Sequence, residues 1–420
     1  MDLIETFGAK IGALSEEKPQ RARQLLTAGF RANGVKNKLA SKRSSKSDRM
    51  LFQLVNRAMV TCLAKPQSNV MVSLFAPCEM LHLQGLHPYS CEGFSSYLSG
   101  AMAEQPFLHQ AEDTGIPNSL CSYHKVFIGA AQMGLMPKPR FILSTSLACD
   151  ANTLTFRHLA QFYDVPHFNV DIPFESSPQA VDYVAGQLRQ MGEFLTQQTG
   201  LPLDDGQLAR TVARSQRTMA LYHRGLRLRA GRQVLSDLTS ELLRTAAFHF
   251  LLGTPETEAY ARQLLREITT APPAQGKQLL WIHTTPYWVA PLRHLFAQST
   301  RVQVAACDMS YEGIVEADPT KPYEAMARRL VYSPFNGPAQ RRIDRALEMA
   351  KTVGADGAVW FCHWGCKHTL GGARLGKKAL EEAGLPTLLL DGDSCDRGFG
   401  GEGQAATRME AFLEVLEGMA

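Results

Sequence analysis

The sequence has no apolar run of the roughly 18–20 residues that a membrane-spanning helix needs, and its richest apolar stretch covers only residues 246–252. Residues 1–5 (MDLIE) lack the basic and apolar regions of a secretory signal. A large surplus of positive charge is also missing, because the chain has 44 Lys and Arg and 40 Asp and Glu, which gives a net charge of +4. These absences lead us to expect a cytoplasmic protein with neither membrane nor nucleic acid as a partner.

The signatures of several enzyme classes are absent as well. No G-x-x-x-x-G-K-[ST] segment is present to bind ATP phosphates, and no G-x-G-x-x-G motif directly follows a predicted strand. The G-x-S-x-G turn of a serine hydrolase does not occur either. With 45% hydrophobic and 20% charged residues, the composition is that of an average globular protein and excludes disordered, collagen-like and coiled-coil chains.

The 420 residues predict two or three domains, and four regions differ in their pattern. We interpret residues 1–60 as a helical N-terminal segment, 61–175 as a first α/β domain, 176–270 as a helical connector and 271–420 as a second α/β domain. Short apolar runs followed by helical stretches indicate parallel strands. The predicted strands cover residues 70–75, 141–146, 166–170, 278–283, 302–307, 358–362 and 387–390.

The fold class that this pattern predicts is α/β, with two flavodoxin-like or Rossmann-like parallel-sheet domains joined by the helical connector. The connector carries a row of arginines at helical spacing. This row is interpreted either as a solvated helix face or as a docking surface for a partner. Its members are Arg210, Arg214, Arg217, Arg224, Arg227, Arg229 and Arg232.

Nine cysteines are the most informative feature of the composition, because a reducing compartment disfavours a disulfide framework. Several of them follow predicted strands, where parallel sheets bind ligands. These are Cys78, Cys149, Cys307 and the pair Cys362 and Cys366, while Cys121 is placed at the start of a helix. A helix start offers free N–H groups and a positive dipole end, which stabilise thiolate and cluster sulfide.

The spacing of these cysteines argues against structural zinc, because the sequence has no second pair of closely spaced cysteines to complete a zinc site with Cys362 and Cys366. Three thiolates from separate loops can instead hold a 4Fe-4S cluster and leave one iron open. Any single cysteine can also be a small buried hydrophobe, which is the expectation for most of Cys62, Cys91, Cys307 and Cys395.

Two further segments have alternative interpretations. Residues 281–288 (WIHTTPYW) place His283 and aromatic side chains at a strand end, either as a substrate wall or as part of the core. Asp391 and Asp393 lack the ligand spacing of a calcium loop, so they predict a turn braced by carboxylates.

Several short motifs occur in a defined order from about residue 70 to the end. In the first half they are residues 120–125 (LCSYHK), 137–140 (PKPR), 145–150 (TSLACD), 165–168 (VPHF) and 171–173 (DIP). In the second half they are residues 363–367 (HWGCK), 384–386 (GLP), 391–393 (DGD) and 404–412 (QAATRMEAF). With these motifs in this order, the chain resembles the 2-hydroxyacyl-CoA dehydratase family, which includes benzoyl-CoA reductase subunits and double-cubane iron-sulfur proteins.

This resemblance implies one 4Fe-4S cluster between the two α/β domains, with Cys121, Cys149 and Cys366 as its metal ligands and Cys362 as an alternative third ligand. It implies an anaerobic lyase in which electron transfer from an ATP-hydrolysing iron-sulfur activator converts an acyl-CoA thioester into a ketyl radical that expels its hydroxyl group. A second related subunit, or a second copy in a homodimer, is the expected partner.

The resemblance leaves two alternatives open. The additional cysteines, Cys78 and the pair Cys362 and Cys366, are compatible with a double-cubane cluster of eight irons in a homodimeric reductase of small molecules. The chain can also be a non-catalytic subunit that relays electrons to a partner. The substrate itself follows from pocket shape, which no local motif encodes.

Overall fold

The N-terminal region is helical. We describe a computed structural model of the protein that covers residues 3–39, 45–234, 236–311, 313–399 and 401–419. Its first helices are α1 (Leu3–Glu17), α2 (Pro19–Leu39) and α3 (Lys46–Ala64). The hydroxyl of Ser45 caps α3 by accepting a hydrogen bond from the N–H of Asp48 at 3.0 Å.

A four-stranded parallel sheet follows α3. Its elements are β1 (Asn69–Val72), α4 (Glu79–Leu83), β2 (His87–Ser90), α5 (Cys91–Gly100), α6 (Gln105–Asp113), α7 (Ser122–Gln132), β3 (Phe141–Thr145), α8 (Asp150–Tyr163) and β4 (His167–Val170). The strand order is β2-β1-β3-β4, with all pairs parallel. Strands β1 and β3 are buried along their whole length, as expected for a sheet covered by helices on both faces.

Four helices then connect the two sheets: α9 (Pro178–Thr199), α10 (Asp205–Leu228), α11 (Leu238–Phe250) and α12 (Pro255–Thr270). They confirm the predicted helical character of this region. The connector packs against both halves, since α9 contacts both β4 and the helix over Pro322–Val331, and α11 and α12 contact α3. One apolar core therefore continues from the first sheet through the connector into the second.

The second half repeats the topology of the first. Its elements are β5 (Lys277–Ile282), α13 (Ala290–Phe296), β6 (Val302–Cys307), α14 (Asp308–Tyr311), α15 (Pro322–Val331), α16 (Ala339–Val353), β7 (Gly357–His363), α17 (Lys367–Glu382), β8 (Thr387–Gly392) and α18 (Glu402–Gly418). The parallel order β6-β5-β7-β8 matches β2-β1-β3-β4 position by position. It is the order of the first four strands of a flavodoxin-like sheet. The α/β class predicted from the sequence is confirmed.

Two strand predictions need correction. Strand β1 ends at Val72 rather than at Phe75, because the chain turns at Leu74. Strand β2 was not predicted, since its sequence His-Pro-Tyr-Ser has little β character. Pro88 is tolerated because β2 is the edge strand of the sheet.

The arginine row of the connector is not one exposed stripe. Arg229 is buried and donates a hydrogen bond to the carbonyl of Val304 at 3.0 Å, so both interpretations are wrong for this residue. Arg217 pairs with Glu258 and Arg214 donates to the carbonyl of Gly253 at 2.9 Å, so these side chains tie α10 to its neighbours. Among the helices of the described residues, none is long and apolar enough to cross a bilayer.

Candidate functional site

Three cysteines occupy equivalent positions at the starts of three helices. Cys121 is the N-cap residue of α7, Cys149 of α8 and Cys366 of α17, and none of the three side chains caps its own helix by a hydrogen bond. The prediction that Cys121 opens a helix is confirmed. Each thiol therefore lies beside the unpaired N–H groups and the positive dipole end of a helix.

These three cysteines line one cavity of about 140 Å³ where the carboxyl ends of both sheets face each other. All three are partly buried. Burial raises the pKa of the Cys121 thiol well above 9 and that of Cys149 to about 12, and the nearby Cys366 adds to both shifts. The structure thus brings together thiols from residues 121, 149 and 366.

Cys362 lies elsewhere. It belongs to β7, where successive side chains point to opposite faces of the sheet. His363 lines the cavity and Cys362 does not, and its sulfur lies 3.7 Å from the carbonyl of Trp360. Asp391 and Arg408 are the charged groups that influence its pKa, which burial raises to about 11. Cys362 is therefore separated from the other three thiols by the sheet.

The remaining cysteines are buried, as expected for Cys62, Cys91, Cys307 and Cys395. Cys307 also lines the cavity, with its thiol 3.4 Å from the carbonyl oxygen of His283. Cys78 is buried against the carbonyl of Ala76 and is not part of the cavity wall. Of the cysteines that suggested a larger cluster, Cys78 and Cys362 are thus outside the cavity and Cys366 lines it.

Two of the three cysteines, Cys149 and Cys366, directly follow tight backbone turns. The residues just before them, Ala148 and Gly365, have positive φ angles of 69° and 76°. A Cβ atom on Gly365 would lie 2.6 Å from the backbone nitrogen of Cys121. Glycine at 365 is therefore required both by the left-handed turn and by direct contact between the loops of the two halves.

His363 links Cys121 to the loop after β8. Its Nδ1 accepts a hydrogen bond from the N–H of Ser394 at 3.1 Å, so the proton of the neutral ring is on Nε2. Nε2 lies 3.2 Å from Sγ of Cys121. Burial lowers the pKa of His363, which keeps the ring neutral.

Asp393 braces the same loop, as predicted for a turn held by carboxylates. Its Oδ1 accepts hydrogen bonds from the N–H groups of Cys395 and Asp396, each at 2.7 Å. The hydroxyl of Ser122, next to Cys121, donates to the same oxygen at 2.6 Å. One carboxylate of the second half thereby fixes the start of α7 in the first half.

His283 is part of the cavity wall and also part of a buried polar cluster. Its N–H donates to Asp308 at 2.7 Å, and Arg342 donates to its Nδ1 at 3.4 Å. Arg342 forms a buried ion pair with Asp308 at 2.8 Å. Of the two interpretations of this segment, the core interpretation holds for its aromatic residues Trp281, Tyr287 and Trp288, which pack in the core of the second half and do not line the cavity.

Two carboxyl groups that the sequence analysis did not single out also line the cavity. Glu241 is held by Arg244 in a buried ion pair. Glu92 has no cationic side chain within ion-pair distance among the described residues, and burial raises its pKa. It accepts a hydrogen bond from the hydroxyl of Ser90 at 2.8 Å. Glu92 is the second residue of α5, which follows β2 directly. Because β2 was not predicted, Glu92 was not recognised as a residue at a strand end.

The donor set fits a polynuclear iron-sulfur group better than a single ion. Among the described residues, no three His, Cys, Asp or Glu side chains lie close enough together to bind one metal ion. The three thiols line one cavity, and burial raises the pKa of each, so thiolates there need a compensating cation. Cluster iron supplies such a charge.

Comparisons with known proteins point to one family. The family model described as "2-hydroxyglutaryl-CoA dehydratase, D-component" matches residues 73–416. The chain is 22% identical over 337 residues to the (R)-phenyllactyl-CoA dehydratase alpha subunit of Clostridium sporogenes. That alignment covers 74% of this chain and 80% of the relative.

Proposed function

The chain belongs to the 2-hydroxyglutaryl-CoA dehydratase D-component family, and on this premise we propose that it is the iron-sulfur subunit of a 2-hydroxyacyl-CoA dehydratase. The observation that carries the proposal is the convergence of Cys121, Cys149 and Cys366 on one cavity, each from a helix start. The resemblance found in the sequence is confirmed at the level of the family.

In this proposal Cys121, Cys149 and Cys366 hold a 4Fe-4S cluster and leave one iron without a cysteine ligand. When bound, the cluster supplies one electron to the thioester carbonyl of the substrate, which reverses the polarity of that carbon. The chain itself excludes water, because the cavity is enclosed by apolar side chains. These include Leu74, Phe75, Leu242, Leu243, Phe250, Met309 and Phe335.

The net reaction removes hydroxide from C2 and a proton from C3 of the acyl chain, which forms a double bond and water. It consumes no electron, so the electron that was added is given back at the end of each turnover. An apolar cavity suits the acyl part of such a substrate, since hydrophobic walls favour burial of a hydrocarbon chain or a ring. The name of the Clostridium sporogenes relative refers to phenyllactyl-CoA, whose acyl group is of this kind.

The proposed enzyme needs partners. The relative is an alpha subunit, so we infer a second, related subunit for this chain or a second copy of it. The sequence contains no G-x-x-x-x-G-K-[ST] segment of its own. The resemblance to the dehydratase family supports an activator that hydrolyses ATP and carries its own iron-sulfur cluster as the proposed electron donor. We place the protein in the cytoplasm, where acyl-CoA thioesters are available.

The test is an anaerobic assay of the purified chain with its partner subunit, activator, ATP and a reductant. Several 2-hydroxyacyl-CoA thioesters are supplied, and enoyl-CoA formation is followed by chromatography. We expect turnover that requires the activator and is lost in Cys121→Ser, Cys149→Ser and Cys366→Ser. Cys362→Ser is the matched control and should keep activity. A complex that contains iron and activator but converts none of the thioesters would refute the proposal.

A further inference from the structure

His283 has a backbone conformation that the proposed cluster site does not explain. It follows β5 directly and has a φ of 83°, in the left-handed region that non-glycine residues rarely adopt. Such a conformation is unfavourable and persists only where the surroundings enforce it. Here the carboxylate of Asp308 holds the main chain by accepting the N–H of His283 at 2.7 Å.

The ion pair between Asp308 and Arg342 also determines which nitrogen of the His283 imidazole carries the proton. A guanidinium group can only donate, so Nδ1 of His283 must be the acceptor of the hydrogen bond from Arg342 at 3.4 Å. The proton of the neutral ring is therefore on Nε2. Arg342 is itself immobilised by Asp308 and by the ring of Phe335, which lies 4.5 Å from the guanidinium carbon.

Of the four histidines that line the cavity, His283 is the one whose N–H is available to a ligand. Nε2 of His363 faces Cys121, and Nε2 of His368 lies 3.3 Å from the carbonyl of Phe335. His124 is engaged through both nitrogens, by Thr155 at 3.0 Å and Cys149 at 3.8 Å. Within the described part of the chain, no protein atom accepts a hydrogen bond from Nε2 of His283.

The position of His283 suits a substrate that reaches the cysteines. Its ring centroid lies 6.1 Å from that of His363, which contacts Cys121. Burial and the charge of Arg342 lower the pKa of His283 well below 6.5, so the ring is neutral. A neutral imidazole can polarise a carbonyl group by donating a hydrogen bond and still keep its proton.

We propose that Nε2–H of His283 donates a hydrogen bond to the thioester carbonyl oxygen of the bound acyl-CoA. This inference rests on the proposed function. One added electron places negative charge on that oxygen, and the hydrogen bond strengthens as the charge develops. No bond to His283 forms or breaks, and its proton stays on Nε2. His283 is then a catalytic residue that stabilises the charged form of the substrate.

Tyr97 and Tyr123 are competing donors, because both residues line the cavity and neither hydroxyl has a hydrogen-bond partner among the described residues. The ring of Tyr97 packs edge-on against Phe30 of α2, with the ring centroids 5.0 Å apart. That contact places Tyr97 on the wall formed by the N-terminal helices, whereas His283 lies next to the residue that touches Cys121.

The direct test is the infrared stretching frequency of the thioester carbonyl in an acyl-CoA labelled with ¹³C at C1. The cluster-loaded enzyme is used without activator, so that the substrate binds but does not react. We expect a lower frequency for the bound thioester than for the free one. The shift should disappear in His283→Met, return in part in His283→Gln, and persist in Tyr97→Phe, in Tyr123→Phe and in the exposed control His109→Met.

Steady-state kinetics give a second readout. Loss of one such donor lowers kcat by about 10²–10³-fold, with little change in KM. A wild-type frequency equal to that of free acyl-CoA, or a shift that survives in both His283 variants or vanishes in Tyr97→Phe, would overturn the role of His283. Failure of the wild-type protein to bind any acyl-CoA would instead refute the proposed function itself.

Discussion

Nε2 of His363 lies 3.2 Å from Sγ of Cys121. The proton of the ring is on this Nε2, because Nδ1 accepts a hydrogen bond from the N–H of Ser394. In the presence of a cluster this contact is an N–H···S hydrogen bond to a metal ligand. Such bonds stabilise the more negative, reduced form of the cluster and so raise its reduction potential.

Replacement of His363 by phenylalanine should therefore lower the cluster potential. The ring shape is retained but the donor is lost, and we expect a potential of the order of 50 mV more negative, since 59 mV is a tenfold change for one electron. Anaerobic redox titration followed by electron paramagnetic resonance measures this shift. The exposed His294→Phe is the control, and an unchanged or more positive potential in His363→Phe would contradict the assigned hydrogen bond.

Gly365 offers a test of how the two halves meet. In Gly365→Ala the new methyl group would lie 2.6 Å from the nitrogen and 2.7 Å from Cα of Cys121, at a φ of 76°. Backbone strain of this kind costs of the order of 1–3 kcal/mol, and the collision adds to it. We expect a lower free energy of unfolding, measured by urea denaturation, and a lower iron content.

Gly371 in α17 is the matched control for that substitution. It is exposed, and a Cβ atom there meets no other atom within 4 Å. Gly371→Ala should raise stability by about 0.5–1 kcal/mol, because alanine is the better helix former. Equal effects of the two alanine variants would show that the loops of Gly365 and Cys121 do not pack as described.

Arg342 and Asp308 form a buried ion pair, and its disruption should lower the free energy of unfolding. Both side chains are below 5% exposed, and Arg342→Met would leave the carboxylate of Asp308 without its cation. Removing one partner of a buried pair destabilises a protein by about 3–5 kcal/mol. Urea denaturation measures the loss, and the same variant should lose the carbonyl shift expected from His283.

The control for Arg342 is an exposed pair. Arg57 lies 3.3 Å from Glu256, and both side chains are more than half exposed. Arg57→Met should change the free energy of unfolding by less than about 1 kcal/mol, because water solvates the separated charges. A loss in Arg342→Met no larger than that in Arg57→Met would contradict the buried network around His283.

Much of the fold could be predicted from the sequence because the central strands are largely apolar. The central strands β3 and β7 are buried at every residue, which gives a signal that no surface helix shares. The edge strand β2 gives no such signal, since it is short and contains Pro88. Helix α5 follows β2 and carries Glu92. Because β2 was not predicted, the position of Glu92 at the cavity was not recognised either.

The site was only partly predictable for a different reason. Cysteines after strands are visible in the sequence, and the alternation of side chains along β7 already separates Cys362 from His363. Arg342 and Asp308 give no local signal, because they are 34 residues apart and meet only through packing of α16 on the sheet. The left-handed conformation of His283 likewise depends on that tertiary contact.

The most direct test of this account is the iron and sulfide content of the chain after anaerobic purification. We expect a brown protein with about four irons per chain. Iron should be lost in Cys121→Ser, Cys149→Ser and Cys366→Ser and retained in Cys362→Ser and Cys78→Ser. A colourless wild-type protein without iron, or iron that depends on Cys362 or Cys78 and not on Cys366, would contradict it.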